Sequence, residues 1–213
     1  MHFHTEKIKK TINQDNTTIV AATKYFNAEQ MRQLYQTGLS HFGENRVEAL
    51  LEKKPLLTDL AITWHFIGTL QTKKVKKIVN EIDYLHSLNS LKLAEELNKR
   101  RITPLKCFIQ VNISSEDAKH GFEPNDVIPF LNNLQNLPNI NVIGLMGMAE
   151  FTKDDLIISK QFQKLNNLQD QIKKELNIDL KDLSIGMSND YLIALKHNAT
   201  YLRLGSILFN KEV

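Results

Sequence analysis

The chain has 213 residues, 42% hydrophobic and 24% charged, with a formal charge of +3 and one cysteine. That is an ordinary soluble composition with room for one large core. The small charge leaves no electrostatic footprint for nucleic acid, and Cys107 alone excludes an internal disulfide. No stretch approaches the roughly 18 apolar residues of a membrane span, and Met1–Lys7 lacks the apolar run of a signal peptide. The expected location is the cytoplasm, where a lone thiol stays reduced.

Residues 3–13 read as a short amphipathic helix. Thr17–Lys24 is uncharged and rich in β-branched and small residues until it ends abruptly in Lys24. It suits a strand covered on both faces. A cap-like Asn27 opens a helix that stops near Gly38. A compact strand at 40–43 and a helical stretch from Glu44 to about Leu57 follow. Ile62–Gly68 is the third strand, Gln71–Val79 a short basic helix, and Ile82–His86 the fourth strand. Ser90 caps a helix to Arg101, and Leu105–Ile113 is the fifth strand.

A loop containing Lys119-His120-Gly121-Phe122 leads to a helix near 124–136. Asn141–Met148 is the sixth strand, and the longest helix runs from about Asp154 to Leu176. Leu180–Ile185 is the seventh strand, and Gly186-Met187-Ser188 opens a helix to about His197. Thr200–Leu204 is the eighth strand, and Gly205-Ser206 begins a final turn. Strictly alternating strands and helices imply parallel pairing with crossover helices. Eight such units close a (β/α)₈ barrel, so the expected fold is a single α/β TIM-barrel domain over residues 1–213. A doubly wound open sheet is the alternative that an alternation count leaves open.

In a closed barrel the eighth strand lies beside the first, placing Arg203 next to Lys24. Loops after strands 7 and 8 of such barrels often bind phosphate. Ser188 follows Gly186 at an expected helix start, and Gly205-Ser206 offers close backbone approach and a hydroxyl. Taken together, these groups point to one ligand with a phosphate and a carbonyl. In a mostly apolar rim, a lysine amine becomes a usable nucleophile that condenses with an aldehyde to a Schiff base. Pyridoxal 5′-phosphate has both the aldehyde and the phosphate, and Arg203 would face its ring nitrogen.

The ordered motifs Ala22-Thr23-Lys24, Phe42-Gly43-Glu44-Asn45, Trp64–Gly68, Leu70-Gln71, Val111-Asn112-Ile113, Gly144-Leu145-Met146, Ser184–Asp190 and Arg203–Ser206 span nearly the whole chain. With them the sequence resembles the pyridoxal-phosphate-binding homeostasis proteins. The resemblance implies an alanine-racemase-like barrel with Lys24 as the Schiff-base lysine. It places Met187, Ser188, Gly205 and Ser206 around the phosphate, Arg203 at the pyridine nitrogen, Asn45 near the ring and His65 close to the site. Lys73, Ile185, Ser206 and Asn210 stand where the family commonly has Asn, Met, Thr and Gly. Ser206 keeps the hydroxyl, so the phosphate site is expected to survive.

The role this implies is a monomeric carrier that holds pyridoxal phosphate, hands it to cofactor-dependent apoenzymes and turns over little. Barrel racemases of this cofactor carry a second, β-rich domain, and the sequence ends soon after the eighth strand. A one-domain racemase or a cofactor-free Schiff-base aldolase is the competing enzyme class; the racemase needs a second acid/base, with His65 and Tyr84 as candidates. Lys73-Lys74-Val75-Lys76-Lys77 reads as a solvated face, with an anionic partner or second cofactor molecule as the sharper alternative. It lacks the aromatic residues of an RNA-binding surface. Met146 and Met148 read as barrel lining, and Cys107 as a buried small hydrophobe. His86, His120 and His197 read as separate residues that make no cluster, and no metal site is expected from His2 and His4.

Overall fold

The computed structural model describes residues 2–12, 16–114 and 121–210. Its centre is a closed barrel of eight parallel strands. In chain order the elements before the barrel closes are β1 (His2–Phe3), α1 (Thr5–Ile12), β2 (Thr18–Ala22), α2 (Ala28–Gln36), β3 (His41–Glu44), α3 (Val47–Lys53), β4 (Thr63–Phe66), α4 (Val75–Ile78), β5 (Tyr84–Leu88) and α5 (Leu91–Arg100). Then come β6 (Leu105–Gln110), α6 (Val127–Asn133), β7 (Ile140–Met146), α7 (Asp155–Leu176), β8 (Asp182–Ser184), α8 (Tyr191–Lys196), β9 (Tyr201–Leu204) and β10 (Phe209–Asn210). The barrel is β2 to β9, and β9 returns to pair with β2. The first and last described strands meet as well, because β1 pairs antiparallel with β10.

Local chemistry sets the element ends. Asn27 and Gln30 form a reciprocal capping box at α2, and Gly38 takes a positive φ of 81° just beyond its end. Ser90 caps α5 by accepting from Leu93 N–H, and Asp154 caps α7 by accepting from Leu156 and Ile157 N–H. Asn177, at φ 56°, closes α7 in the left-handed conformation. The core is the layer between barrel and helices, with Phe42, Phe66, Leu50 and Phe162 fully buried. Cys107 sits in it as a buried apolar residue, and burial pushes its thiol pKa up.

The structure corrects several boundaries. The basic helix expected over 71–79 is a 3₁₀ turn at Thr72–Lys74 running into the four-residue α4. The helix expected from Gly186 begins only at Tyr191: Gly186 has φ 89°, and Asp190 Oδ1 accepts from Met187 N–H at 2.6 Å, holding the intervening loop open. Met146 is buried as expected, but Met148 is 41% exposed, because the chain has left β7 by then. Lys119 and His120 lie outside the described residues. Among those described, no helix is long and apolar enough to cross a membrane.

Candidate functional site

Lys24 leaves the sheet two residues beyond β2, and its approach is braced from below. Thr23 is fully buried, and its hydroxyl donates to Glu44 Oε1 at 2.6 Å. Lys53 on α3 donates to the same Oε1 at 2.7 Å and to the Thr23 carbonyl at 2.9 Å. This buried ion pair ties β2, β3 and α3 together at the residue before Lys24. Lys24 itself is exposed at the rim, with Nζ 4.8 Å from the Tyr25 ring centroid.

Arg203 is on β9, beside β2, in register with Val20. It is 6% exposed, and every contact fixes its plane. Nη1 donates to the Ser184 carbonyl and to Ser184 Oγ, each at 2.6 Å, while Nη2 donates to the Gly147 carbonyl at 3.1 Å. Burial draws its pKa down to about 10, and Asp190 opposes that shift.

The loops after β8 and β9 are stitched to one another. Ser188 Oγ accepts from Gly205 N–H at 3.1 Å and from Ile207 N–H at 3.4 Å. Ser188 therefore pins two loops together instead of capping a helix. Between these loops and the Lys24 rim lies a cavity of about 430 Å³ lined by Lys24, Tyr25, Met187, Ser188, Arg203, Gly205 and Ser206, among others. Its size is that of a small-ligand site. Two cations border it, and Asp190, the carboxylate that acts on Arg203, has its own pKa raised by burial.

Six of the eight expected site residues thus meet at one cavity, and two do not line it. Asn45 borders a different cavity of about 150 Å³ with Arg46, Gln71 and Lys74, and its Oδ1 is buried without a hydrogen-bond partner. His65 lies inside the barrel, fully buried, with its ring stacked on Tyr84 at 4.4 Å. It reaches Arg203 only through His86 and Ser184.

His86 is correspondingly the clearest correction to the sequence reading. It is no isolated loop residue but a fully buried side chain on β5, bonded to both His65 and Ser184. For His86 the expectation of a separate residue failed because contacts across a barrel depend on register, which the sequence does not display. Ser184, Thr23, Glu44 and Lys53 were missed as site-supporting residues for the same reason. The one available signal was a run of inward-facing polar residues in strands that are otherwise apolar.

Residues 1–212 match the alanine racemase N-terminal domain family. The pyridoxal phosphate homeostasis protein of Aquifex aeolicus is 37% identical over 197 residues, covering 91% of this chain and 86% of that one. The chain belongs to this family. Among solved structures, PipY of Synechococcus elongatus with pyridoxal phosphate bound has a TM-score of 0.88 at 29% identity, covering 96% of this chain and 98% of PipY. Alanine racemase of Bacillus anthracis has a TM-score of 0.76 at 15% identity, covering 97% of this chain and 54% of the racemase. That likeness extends to the fold alone. As a family member, the chain keeps the shared barrel. Of the positions Lys73, Ile185, Ser206 and Asn210 singled out in the sequence, Ser206 lines the main cavity.

Proposed function

We propose that this protein binds pyridoxal 5′-phosphate in the Lys24 cavity and serves in its homeostasis, holding and handing over the cofactor with little turnover. The observation that carries this reading is the placement of an exposed amine and a fixed guanidinium on one cavity closed by two hydroxyl-bearing loops. The residues fit the group. Lys24 is the amine for its aldehyde, the Met187–Ser188 and Gly205–Ser206 segments face its phosphate, and Arg203 meets its ring nitrogen. Asn45, whose buried Oδ1 has no hydrogen-bond partner, is the residue proposed for the ring side. When bound, the cofactor supplies an electrophilic carbonyl and an electron-withdrawing ring.

Arg203 limits that chemistry. A guanidinium only donates, so the ring nitrogen beside it stays an acceptor and the ring is a weaker electron sink. The racemase reading needs an acid/base opposite Lys24, and its two candidates, His65 and Tyr84, stack on each other inside the barrel instead of lining the cavity. The names of the relatives point the same way, since they denote homeostasis. Cytoplasmic location, a monomeric state and delivery to cofactor-dependent apoenzymes complete the reading.

The test is transfer. Cofactor-loaded protein mixed with a cofactor-free aminotransferase should restore that enzyme's activity, while alanine enantiomers added to the loaded protein stay unchanged. Interconversion of the enantiomers, lost in Lys24→Ala, would replace the carrier reading by the racemase one.

A further inference from the structure

Three histidines form a line through the barrel that the cofactor reading leaves unused. His41 Nδ1 lies 2.9 Å from His65 Nε2, His65 Nδ1 lies 2.9 Å from His86 Nε2, and His86 Nδ1 lies 2.7 Å from Ser184 Oγ. Arg203 Nη1 donates to the same Oγ. Register builds the line. His65 is opposite Gly43 on β3 and Tyr84 on β5. His41 stands two residues before Gly43 and His86 two after Tyr84, so all three share the inward face and climb toward the C-terminal rim. One end reaches the Lys24 cavity through Arg203. The other borders a separate cavity of about 250 Å³, lined by Lys9, Ser40 and His41 at the opposite face of the barrel.

These contacts restrict the protons. A neutral imidazole donates from one nitrogen and accepts at the other. Each link joins a δ nitrogen to an ε nitrogen, so three neutral rings must share one tautomer. Arg203 selects which, because a guanidinium only donates. Ser184 Oγ accepts from Arg203 and passes its own hydrogen to His86 Nδ1, and every ring then carries its hydrogen on Nε2. In the opposite arrangement Ser184 Oγ accepts from both neighbours, and its hydroxyl hydrogen has no acceptor among them.

We propose that His41, His65 and His86 are positioning residues for Arg203, a tautomer-locked line that makes the guanidinium's hydrogen bonding depend on protonation at the opposite face. An imidazolium has two donors and no acceptor. A charged ring donates from both nitrogens, so every ring between it and Ser184 must reverse tautomer. Burial leaves His41, the outer end, as the place for it, where its charging reverses His65 and His86 and takes the Ser184 hydrogen bond from His86. The groups around the line favour neutral inner rings. Lys106 on β6 and the neighbouring histidine disfavour charge on His65, Arg203 and His65 disfavour it on His86, and burial outweighs both. His41 faces Asp83, which favours its charged form, with Lys106 opposing and Lys9 across the cavity. Tyr84, Tyr201 and Phe108 pack the rings and hold their planes.

Long-range ¹H–¹⁵N spectra of the cofactor-free protein test the line directly. The expected result is the Nε2–H tautomer for all three rings, with His65 and His86 not titrating from about pH 6 to 8. Ser184→Ala should then shift the ring nitrogens of His65 and His41 as well as His86, although residue 184 touches neither of them. Different tautomers among the rings, or a Ser184→Ala effect confined to His86, would overturn the proposal. Its consequence rests on the assignment of Arg203 to the cofactor. In loaded protein the visible band should shift on the acid side, and His41→Phe should abolish that shift. Locked rings with no visible band in any variant would sink the cofactor reading and leave the line standing. A visible band with the same acid-side shift in His41→Phe would overturn the coupling.

Discussion

Arg203 and the histidines beneath it carry the residue-scale chemistry. Lysine at position 203 would keep the charge but lose the planar fork that serves the Ser184 and Gly147 oxygens at once. Arg203→Lys should therefore destabilise the fold by about 1–3 kcal/mol in urea unfolding, through buried acceptors left unpaired. It should also weaken pyridoxal phosphate binding. Equal stability of variant and parent would show that those contacts contribute nothing net. The histidines give a pH signature. Burial holds His41, His65 and His86 below the ordinary value of 6.5. The unfolded chain therefore binds more protons than the folded one below that pH. Stability from the neutral rings is complete above about pH 6.5 and is lost as pH falls from there toward the folded values, by at most about 1.4 kcal/mol per pH unit for each ring. Melting temperatures should be level from about pH 7 to 8 and decline toward pH 5. A flat profile on the acid side would contradict the buried, neutral line.

At the scale of elements, two positions separate tolerance from failure. Gly144 sits in the β7–β8 ladder, where an added Cβ would lie 2.0 Å from the Asp182 carbonyl oxygen. Because the obstacle is backbone, no rotamer relieves it. Gly144→Ala should cost several kcal/mol or prevent folding, as judged by soluble yield and melting temperature. Asn27→Ala removes one exposed half of a capping box and should cost about 1 kcal/mol in the same assay. Elements of this kind were legible in the sequence because their signals are local. Asn27, Ser90 and Asp154 announce helix starts with side chains that bond within three residues. The two misplaced helices had weaker local signals. The lysine-rich stretch at 72–78 lacks a capping side chain, and Gly186–Ser188 resembles a helix entrance until Asp190 captures the Met187 amide.

In the molecule as a whole, closure of the barrel converts strand order into a site. It brings β9 beside β2, and so Arg203 to the side of Lys24, which the alternation of eight strands and helices already implied. That Met187, Ser188, Gly205 and Ser206 share one cavity was equally legible, because loops after the last two barrel strands form one rim. What stayed hidden needs register as well as order. His65 read as a residue near the cofactor and His86 as an isolated one, whereas a two-residue climb per strand strings both onto Arg203 from below. The Thr23–Glu44–Lys53 brace was hidden likewise, since it spans β2, β3 and the outer helix layer.

Lys24, among all the lysines of the chain, is the one proposed to hold the cofactor. That assignment is tested most directly by loading the protein with pyridoxal phosphate, reducing it with borohydride and mapping the modified peptide by mass spectrometry. A single adduct on Lys24 is expected, and no stable adduct in Lys24→Ala. An adduct on the Lys73–Lys77 cluster with Lys24 unmodified would contradict the assignment.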